Sequence, residues 1–249
     1  QHLRHPRPAF AVLRAGGSAV DAAIATAAVL GVIYPHMTGM GGDAFWLIPE
    51  PQTGEVRYLN GGGRAAANAD PAFFKAKGLS EIPFRGMWPA TLTTPGAVSS
   101  WCAAHQAYGQ LGMPRILEAA IDYAQHGYPV SQRLAGWMQR SQADCSQQPG
   151  WSALFTPDGT LPSTGDTRRN SALARTLQAV AAQGQAGFYQ GETGKALAAL
   201  SQEHGGFFTA HHLERQQAEW GEPLVGSYRD LTLYQTPAPT QGFTVLQML

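Results

Sequence analysis

The sequence predicts a mixed chain of helices and short strands, α+β or α/β, with most of its helices buried. Three observations carry this. Ala19 to Ile33 is apolar nearly all round, and a helix with no polar face has to be enclosed by other elements. Two glycine clusters, Gly39 to Gly42 and Gly61 to Gly63, bracket a pair of strand-like runs joined by turn residues. Later stretches repeat apolar residues at three- and four-residue steps and stop at glycine, which is how amphipathic helices read.

The first helix is expected from Pro8 to the Gly16-Gly17 stop. Ser18 then caps the apolar helix, and Asp21 three residues on completes a capping box and places negative charge at the positive helix end. A phosphate-cradle reading of Gly16-Gly17-Ser18 needs a preceding strand, and the residues before it look helical. In the hairpin, Ala44 to Ile48 and Val56 to Leu59 are the strands, and Pro51, Gln52, Thr53 and Gly54 supply the turn. Val56 and Tyr58 fall on one face, Arg57 and Leu59 on the other. Asp70-Pro71 starts a short helix through Lys77. The stretch Gly86 to Pro95 carries Trp88 and several threonines, which turn-rich backbone favours for ordinary reasons. Helices are expected over Gly96 to Tyr108, Ile116 to His126, Ser131 to Ala143, Asn170 to Gln183 and Gly191 to Glu203, with an irregular excursion over Asp144 to Asp166. A short helical turn starts at His211, Pro223 to Tyr234 reads as strand, turn and strand, and Phe243 to Leu249 starts a helix with no stop signal. That missing stop is read as a polypeptide that continues beyond Leu249.

Composition bounds the function. The chain has 249 residues, a formal net charge of zero and 14% charged residues. Neutrality removes the electrostatic case for nucleic acid or an anionic membrane surface. The apolar run Ala19 to Ile33 contains Asp21 and Thr26 and is shorter than the about 20 residues a bilayer span needs. The basic N-terminus, Gln1 to Pro8, has no apolar stretch of the signal-peptide kind behind it. The two cysteines, Cys102 and Cys145, lack metal spacing. Cys102 reads as a buried free thiol, with a disulfide to Cys145 as the alternative.

Arg64, directly after the second glycine cluster, has two readings: a surface arginine at a glycine-rich corner, or a clamp for a ligand carboxylate, which the planar guanidinium fork fits with two hydrogen bonds. Asn60, Gly63 and Asp43 are the candidate lining of that corner. Asp43 is expected to close a turn on its own backbone. His36, beside Pro35, is expected to be a satisfied structural donor rather than a catalytic base. No Ser/His/Asp order, H-E-x-x-H, Walker A or strand-led G-x-G-x-x-G is present.

Several segments together resemble the γ-glutamyltranspeptidase family. Gly16-Gly-Ser-Ala-Val-Asp-Ala-Ala is similar to its G-G-N-A-V-D-A-A, and Pro35-His-Met-Thr-Gly-Met-Gly-Gly to its P-H-x-S/T-G-I/L-G-G. Thr94-Pro-Gly-Ala-Val, Gly127-Tyr-Pro-Val-Ser, Gly187-Phe-Tyr-Gln-Gly, Gly205-Gly-Phe-Phe-Thr, Tyr228-Arg and Pro237 to Gly242 follow in the family's order. The resemblance implies an N-terminal nucleophile hydrolase with an α+β, four-layer α/β/β/α core. It implies a precursor that cuts itself into a large and a small subunit. This chain resembles the large subunit, one incomplete domain over residues 1–249 that completes its core with the small subunit.

The same resemblance implies that the nucleophile is the N-terminal Thr of the small subunit, C-terminal to Leu249, that no catalytic residue lies in this chain, and that neither a cofactor nor a metal is needed. It matches Arg64 to the family arginine of a G-R-E-x-A-P segment, which holds the substrate α-carboxylate. Ala65 and Ala67 replace that segment's Glu and Pro; losing the Glu takes away a neighbour that could hold Arg64 and counts against transpeptidation more than against hydrolysis, while the preceding Asn60-Gly-Gly-Gly and the Gly41-Gly-Asp43 stretch resemble the transpeptidase-like or cephalosporin-acylase-like branch. The expected activity is γ-glutamyl hydrolysis or transfer on glutathione-like amides. The alternatives are an acylase for glutaryl-type amides and a non-catalytic binding subunit. The expected partners are the small subunit, a small-molecule substrate and a second heterodimer, with no nucleic acid and no membrane. The expected compartment is the cytoplasm, with export as the alternative.

Overall fold

The computed structural model describes residues 7–82, 90–148 and 150–249. In chain order the helices are α1 (Pro8–Arg14), α2 (Ala19–Ile33), α3 (Pro71–Ala76), α4 (Ala97–Tyr108), α5 (Met113–His126), α6 (Gln132–Cys145), α7 (Trp151–Phe155), α8 (Ser171–Gln183), α9 (Gln185–Tyr189), α10 (Glu192–Glu203), α11 (Ala210–Glu214) and α12 (Gly242–Met248). The strands are β1 (Ala44–Pro49), β2 (Val56–Gly61), β3 (Tyr128–Pro129), β4 (Thr167–Arg168), β5 (Glu219–Gly221), β6 (Leu224–Tyr228) and β7 (Leu231–Gln235). They pair antiparallel as β1-β2-β5, β3-β4 and β6-β7. Small antiparallel sheets among many helices make the chain α+β, since an α/β fold needs parallel strands with crossover helices. The described residues fall into two compact units, one running up to Gly39 and joined by Ala107–Gly184, the other made of Met40–Gln106 and Gln185–Leu249.

The first unit is built on α2. The capping box forms as expected: the Ser18 N–H donates to Asp21 Oδ2 at 2.9 Å, and the Asp21 N–H donates to Ser18 Oγ at 3.1 Å. The carboxylate does more than close the cap. It is fully buried, and its Oδ2 also accepts the backbone N–H groups of Gln110 and Leu111, at 2.9 and 3.1 Å. One residue thus starts α2 and ties the approach to α5 against it. Ile24, Ala28 and Val29 of α2 and Leu117, Ala120 and Ala124 of α5 are buried, and α8 covers α5 with Leu177 and Val180. The expected all-round enclosure of α2 is not complete within this chain. Ala19, Ala23 and Leu30 line one exposed stripe.

The second unit is built on the three-stranded sheet. Leu59 and Tyr58 are buried on its opposite faces, and the Arg57 guanidinium lies over the ring of Trp220 of β5, 4.1 Å from the ring centre. The hairpin β6–β7 and α12 stay apolar and open: Val225 is 61% exposed, Leu231 59% and Met248 80%.

Most expected elements are present with ends shifted by a few residues. The excursion over Asp144 to Asp166 contains α7, and α9, β5 and the β3–β4 pair had no signal because they are two to five residues long, too short to show a period. The basic stretch over residues 1–6, Gly86, Trp88 and Pro149 lie outside the described residues.

Candidate functional site

The hairpin brings its two glycine clusters side by side. Ala44 pairs with Gly61 and Phe45 with Asn60, so Gly42 and Gly62 flank the open end of the sheet. The start of α4 docks there. The N–H groups of Gly96 and Ala97 both donate to the Gly42 carbonyl at 2.9 Å, and Trp46 Nε1 donates to Ser100 Oγ at 3.0 Å. A Cβ on Gly61 would run into Ser100 and the Ala44 carbonyl, one on Gly96 into the Gly61 carbonyl, and one on Gly63 into the Thr94 carbonyl. Backbone lies on backbone at all three, and only glycine leaves room.

Arg64 leaves this corner from a backbone tied at three successive places. The Gly63 N–H donates to Asp43 Oδ1 at 2.7 Å. The Arg64 carbonyl accepts the Thr94 N–H at 3.0 Å. The Ala67 N–H donates to His212 Nε2 at 3.3 Å. The side chain reaches solvent and pairs through Nη2 with Glu219 Oε1, the two side chains being 74% and 56% exposed. A guanidinium offers five N–H donors in a fixed fork, so one carboxylate oxygen on Nη2 leaves donors for a ligand anion.

The structure brings Asp43, Asn60, Gly63 and Arg64 together, in different roles from those expected for two of them. Asp43 does not close a turn on its own backbone; it reaches twenty positions along the chain to hold Gly63. Asn60 curls back, its Oδ1 accepting the Gly62 N–H at 2.9 Å. His36 belongs to the first unit, and its Nδ1 is buried without a hydrogen-bond partner among the described residues, so it is not the satisfied donor expected. Its ring meets Tyr34 and Trp137, and burial, then the Arg140 charge, lower its pKa. Thr94 is buried.

Glu219 and His212 are the residues that sequence reasoning missed. They stand 155 and 145 positions from the residues they touch. The register of β5 on β2, Asn60 opposite Glu219, is what carries Glu219 to Arg64, and a three-residue strand shows no alternation to betray it. The carboxylate neighbour that Ala65 fails to supply therefore comes from β5.

Under the site, Tyr189 of α9 donates its hydroxyl proton to the Pro95 carbonyl at 2.8 Å and accepts the Ser99 N–H at 3.1 Å. Burial pushes its pKa up to about 12. Burial likewise pushes the Cys102 thiol up to about 11, and both cysteines are free. Among the described residues no three His, Cys, Asp or Glu side chains converge as a metal set, and no helix is long and apolar enough to cross a membrane.

Comparison with known proteins agrees with the motif order. The family model described as Gamma-glutamyltranspeptidase matches residues 9–249. The glutathione hydrolase-like YwrD proenzyme of Bacillus subtilis is 37% identical over 96% of this chain and 45% of its own length. The oxamate amidohydrolase proenzyme of Klebsiella pneumoniae is 36% identical over 100% of this chain and 47% of its own. The chain thus spans about half the length of these curated relatives. The crystal structure of a cephalosporin acylase from Bacillus halodurans superposes with a TM-score of 0.85 at 35% identity, over 92% of this chain and 44% of that one. A glycine-walled corner presenting one arginine, in a helix-rich α+β chain matched over residues 9–249, makes this protein a member of the γ-glutamyltranspeptidase family.

Proposed function

We propose that the chain is the large-subunit part of a self-processing γ-glutamyl hydrolase or transpeptidase, and that Arg64 anchors the substrate carboxylate. The observation that carries this is the solvent-reaching guanidinium of Arg64 on a backbone held at Gly63, Arg64 and Ala67. Fixed donors aimed at a charge cost little reorganisation when the ligand arrives. In the proposed reaction a Thr hydroxyl of a small subunit attacks the γ-amide carbonyl, and its own α-amine takes the proton. The amine leaves, and the acyl group passes to water or to an amino acid. The small subunit from the same precursor completes the core, and two such heterodimers associate, in the cytoplasm and without membrane or nucleic-acid partners.

The test is the denatured intact mass of the full-length gene product followed by kinetics on a γ-glutamyl anilide. Two fragments, the smaller starting at Thr, support the reading. An uncut polypeptide, stable for days, turns the chain into a non-catalytic relative. A second reading, an acylase for glutaryl-type amides, is favoured by Ala65 in place of the family's Glu and by the likeness to an acylase. The ratio of γ-glutamyl to glutaryl anilide turnover separates the two.

A further inference from the structure

We infer that His212 is a positioning residue for Arg64 that works only as the neutral imidazole, so that acid slackens the corner and weakens its hold on a carboxylate. This rests on the reading that Arg64 binds the substrate carboxylate.

The backbone from Gly62 to Ala66 forms neither helix nor strand, so its shape depends on ties to other elements. Asp43 and Thr94 supply two of them, at Gly63 and at Arg64 itself. Downstream of Arg64 the next is the Ala67 N–H on His212 Nε2. Two backbone N–H groups point at this one ring: Ala67 at Nε2, 3.3 Å away, and Thr209 at Nδ1, 3.1 Å away. A neutral imidazole has one bare nitrogen and one N–H. The Thr209 hydroxyl, also 3.1 Å from Nδ1, accepts the N–H there, and Nε2 is left bare for Ala67. An imidazolium has no bare nitrogen. Its Nε2–H would face the Ala67 N–H, donor against donor, and the tie opens. The ring is half-buried, so water can deliver the proton, and histidine is the side chain that changes charge between pH 5 and 8.

The ionisable groups around the ring are engaged elsewhere. Helix α11 packs on α9 and α10. Tyr189 of α9 is bonded to Pro95 and Ser99. On α10, Glu192 pairs with Lys195, and Glu203 lies 3.9 Å from His204. Across the corner, Arg64 is taken by Glu219, and Asp70, beyond Ala67, caps α3 on the Ala72 N–H. Glu214 and Arg215 follow His212 and are exposed, and the His211 ring centre stands 6.3 Å from that of His212. Among the described residues no carboxylate is bonded to a His212 nitrogen. Protonation therefore acts on the Ala67 contact directly.

The experiment compares the processed full-length wild type, His212→Gln and His212→Ala at pH 8 and pH 5. Glutamine offers an amide oxygen as acceptor and does not titrate. Hydrogen exchange at the Ala67 amide, expressed as a protection factor to remove its intrinsic pH dependence, reads the contact itself. Wild type is expected to lose about fivefold in protection on acidification, the scale of one hydrogen bond. His212→Ala is expected to show the low value at both pH values, and His212→Gln to regain part of the protection and keep it at pH 5. KM on a γ-glutamyl anilide should rise wherever protection falls, because a fixed anchor acts on binding. Titration of the nucleophile or of the substrate acts on all three proteins alike and drops out of the comparison. Two fragments and wild-type circular dichroism show that the variants fold, and the wild-type exchange arm stands without them. Protection that stays level from pH 8 to pH 5 in wild type overturns the inference. So does a fall that persists in His212→Gln, which would pass the titration to His211, or a KM that ignores the loss of protection. If Arg64→Ala leaves kcat/KM on the anilide unchanged, it is the carboxylate-anchor reading that has failed.

Discussion

At Arg64, activity and stability should separate. The exposed pair with Glu219 contributes at most about 1 kcal/mol to folding, so chemical denaturation of Arg64→Ala should stay within that of wild type. On a γ-glutamyl anilide the same variant should lose on the order of 2–5 kcal/mol in kcat/KM, the range for a charged ligand group left without its partner; an unchanged kcat/KM would remove Arg64 from the site. Gly63→Ala should do the reverse and act through folding. Its Cβ would overlap the Thr94 carbonyl, and overpacking against backbone costs about 2–3 kcal/mol or more, read as a lowered denaturation midpoint. Arg64 was legible in the sequence as a cation framed by glycine. What was not legible is which surface approaches the glycines: spacing permits a ligand or another backbone equally, and the start of α4 is what arrives.

At the level of elements, the start of α2 was legible in full and its consequence was not. Ser18 and Asp21 announce a capping box in four letters. Nothing in those letters reports that the Asp21 carboxylate also accepts the Gln110 and Leu111 N–H groups, since that pairing spans ninety residues. Ser18→Ala should therefore cost only about 1 kcal/mol, the worth of a helix cap. Asp21→Ala should cost several times more, because it strands buried donors worth about 1–3 kcal/mol each. Urea denaturation of the two variants checks the ordering, and equal losses would mean that the link from α2 to the approach of α5 carries no energy. Strand β5 marks the other limit. Three residues hold no period, so the element that places Glu219 beside Arg64 had to be seen folded.

Across the whole molecule, three groups whose pKa values burial shifts bound stability in pH from both sides. Burial first, then Arg140, lowers the pKa of His36, so the unfolded chain binds its proton more readily, and stability falls as pH drops below the ordinary 6.5. Cys102 and Tyr189 are shifted the other way, from 9.0 to about 11 and from 10.0 to about 12. Below pH 9 both are protonated in either state. Above it the unfolded chain loses protons first, so stability declines as pH rises through the folded values. Urea midpoints from pH 5 to 11 should trace a dome, and Cys102→Ser with Tyr189→Phe should flatten its alkaline side; an unchanged slope would mean that neither group is buried in solution. The helix-and-strand class was legible, as was the family's motif order. The partition into two units was not, because the chain leaves the first at Gly39, returns at Ala107 and leaves again after Gly184, so that each unit joins segments far apart in sequence.

The open face of β6–β7 and α12 has a consequence for handling the protein. Val225 and Leu231 on the hairpin and Phe243, Val245 and Met248 on α12 all present apolar surface to water, and a two-stranded hairpin is marginal alone and a template for sticking. A ribosome that released these 249 residues by themselves would deliver a polypeptide that recruits holdase chaperones, scatters light as it is concentrated and brightens ANS. Lysines at Val225 and Leu231 should clear that turbidity while leaving far-UV circular dichroism as it was.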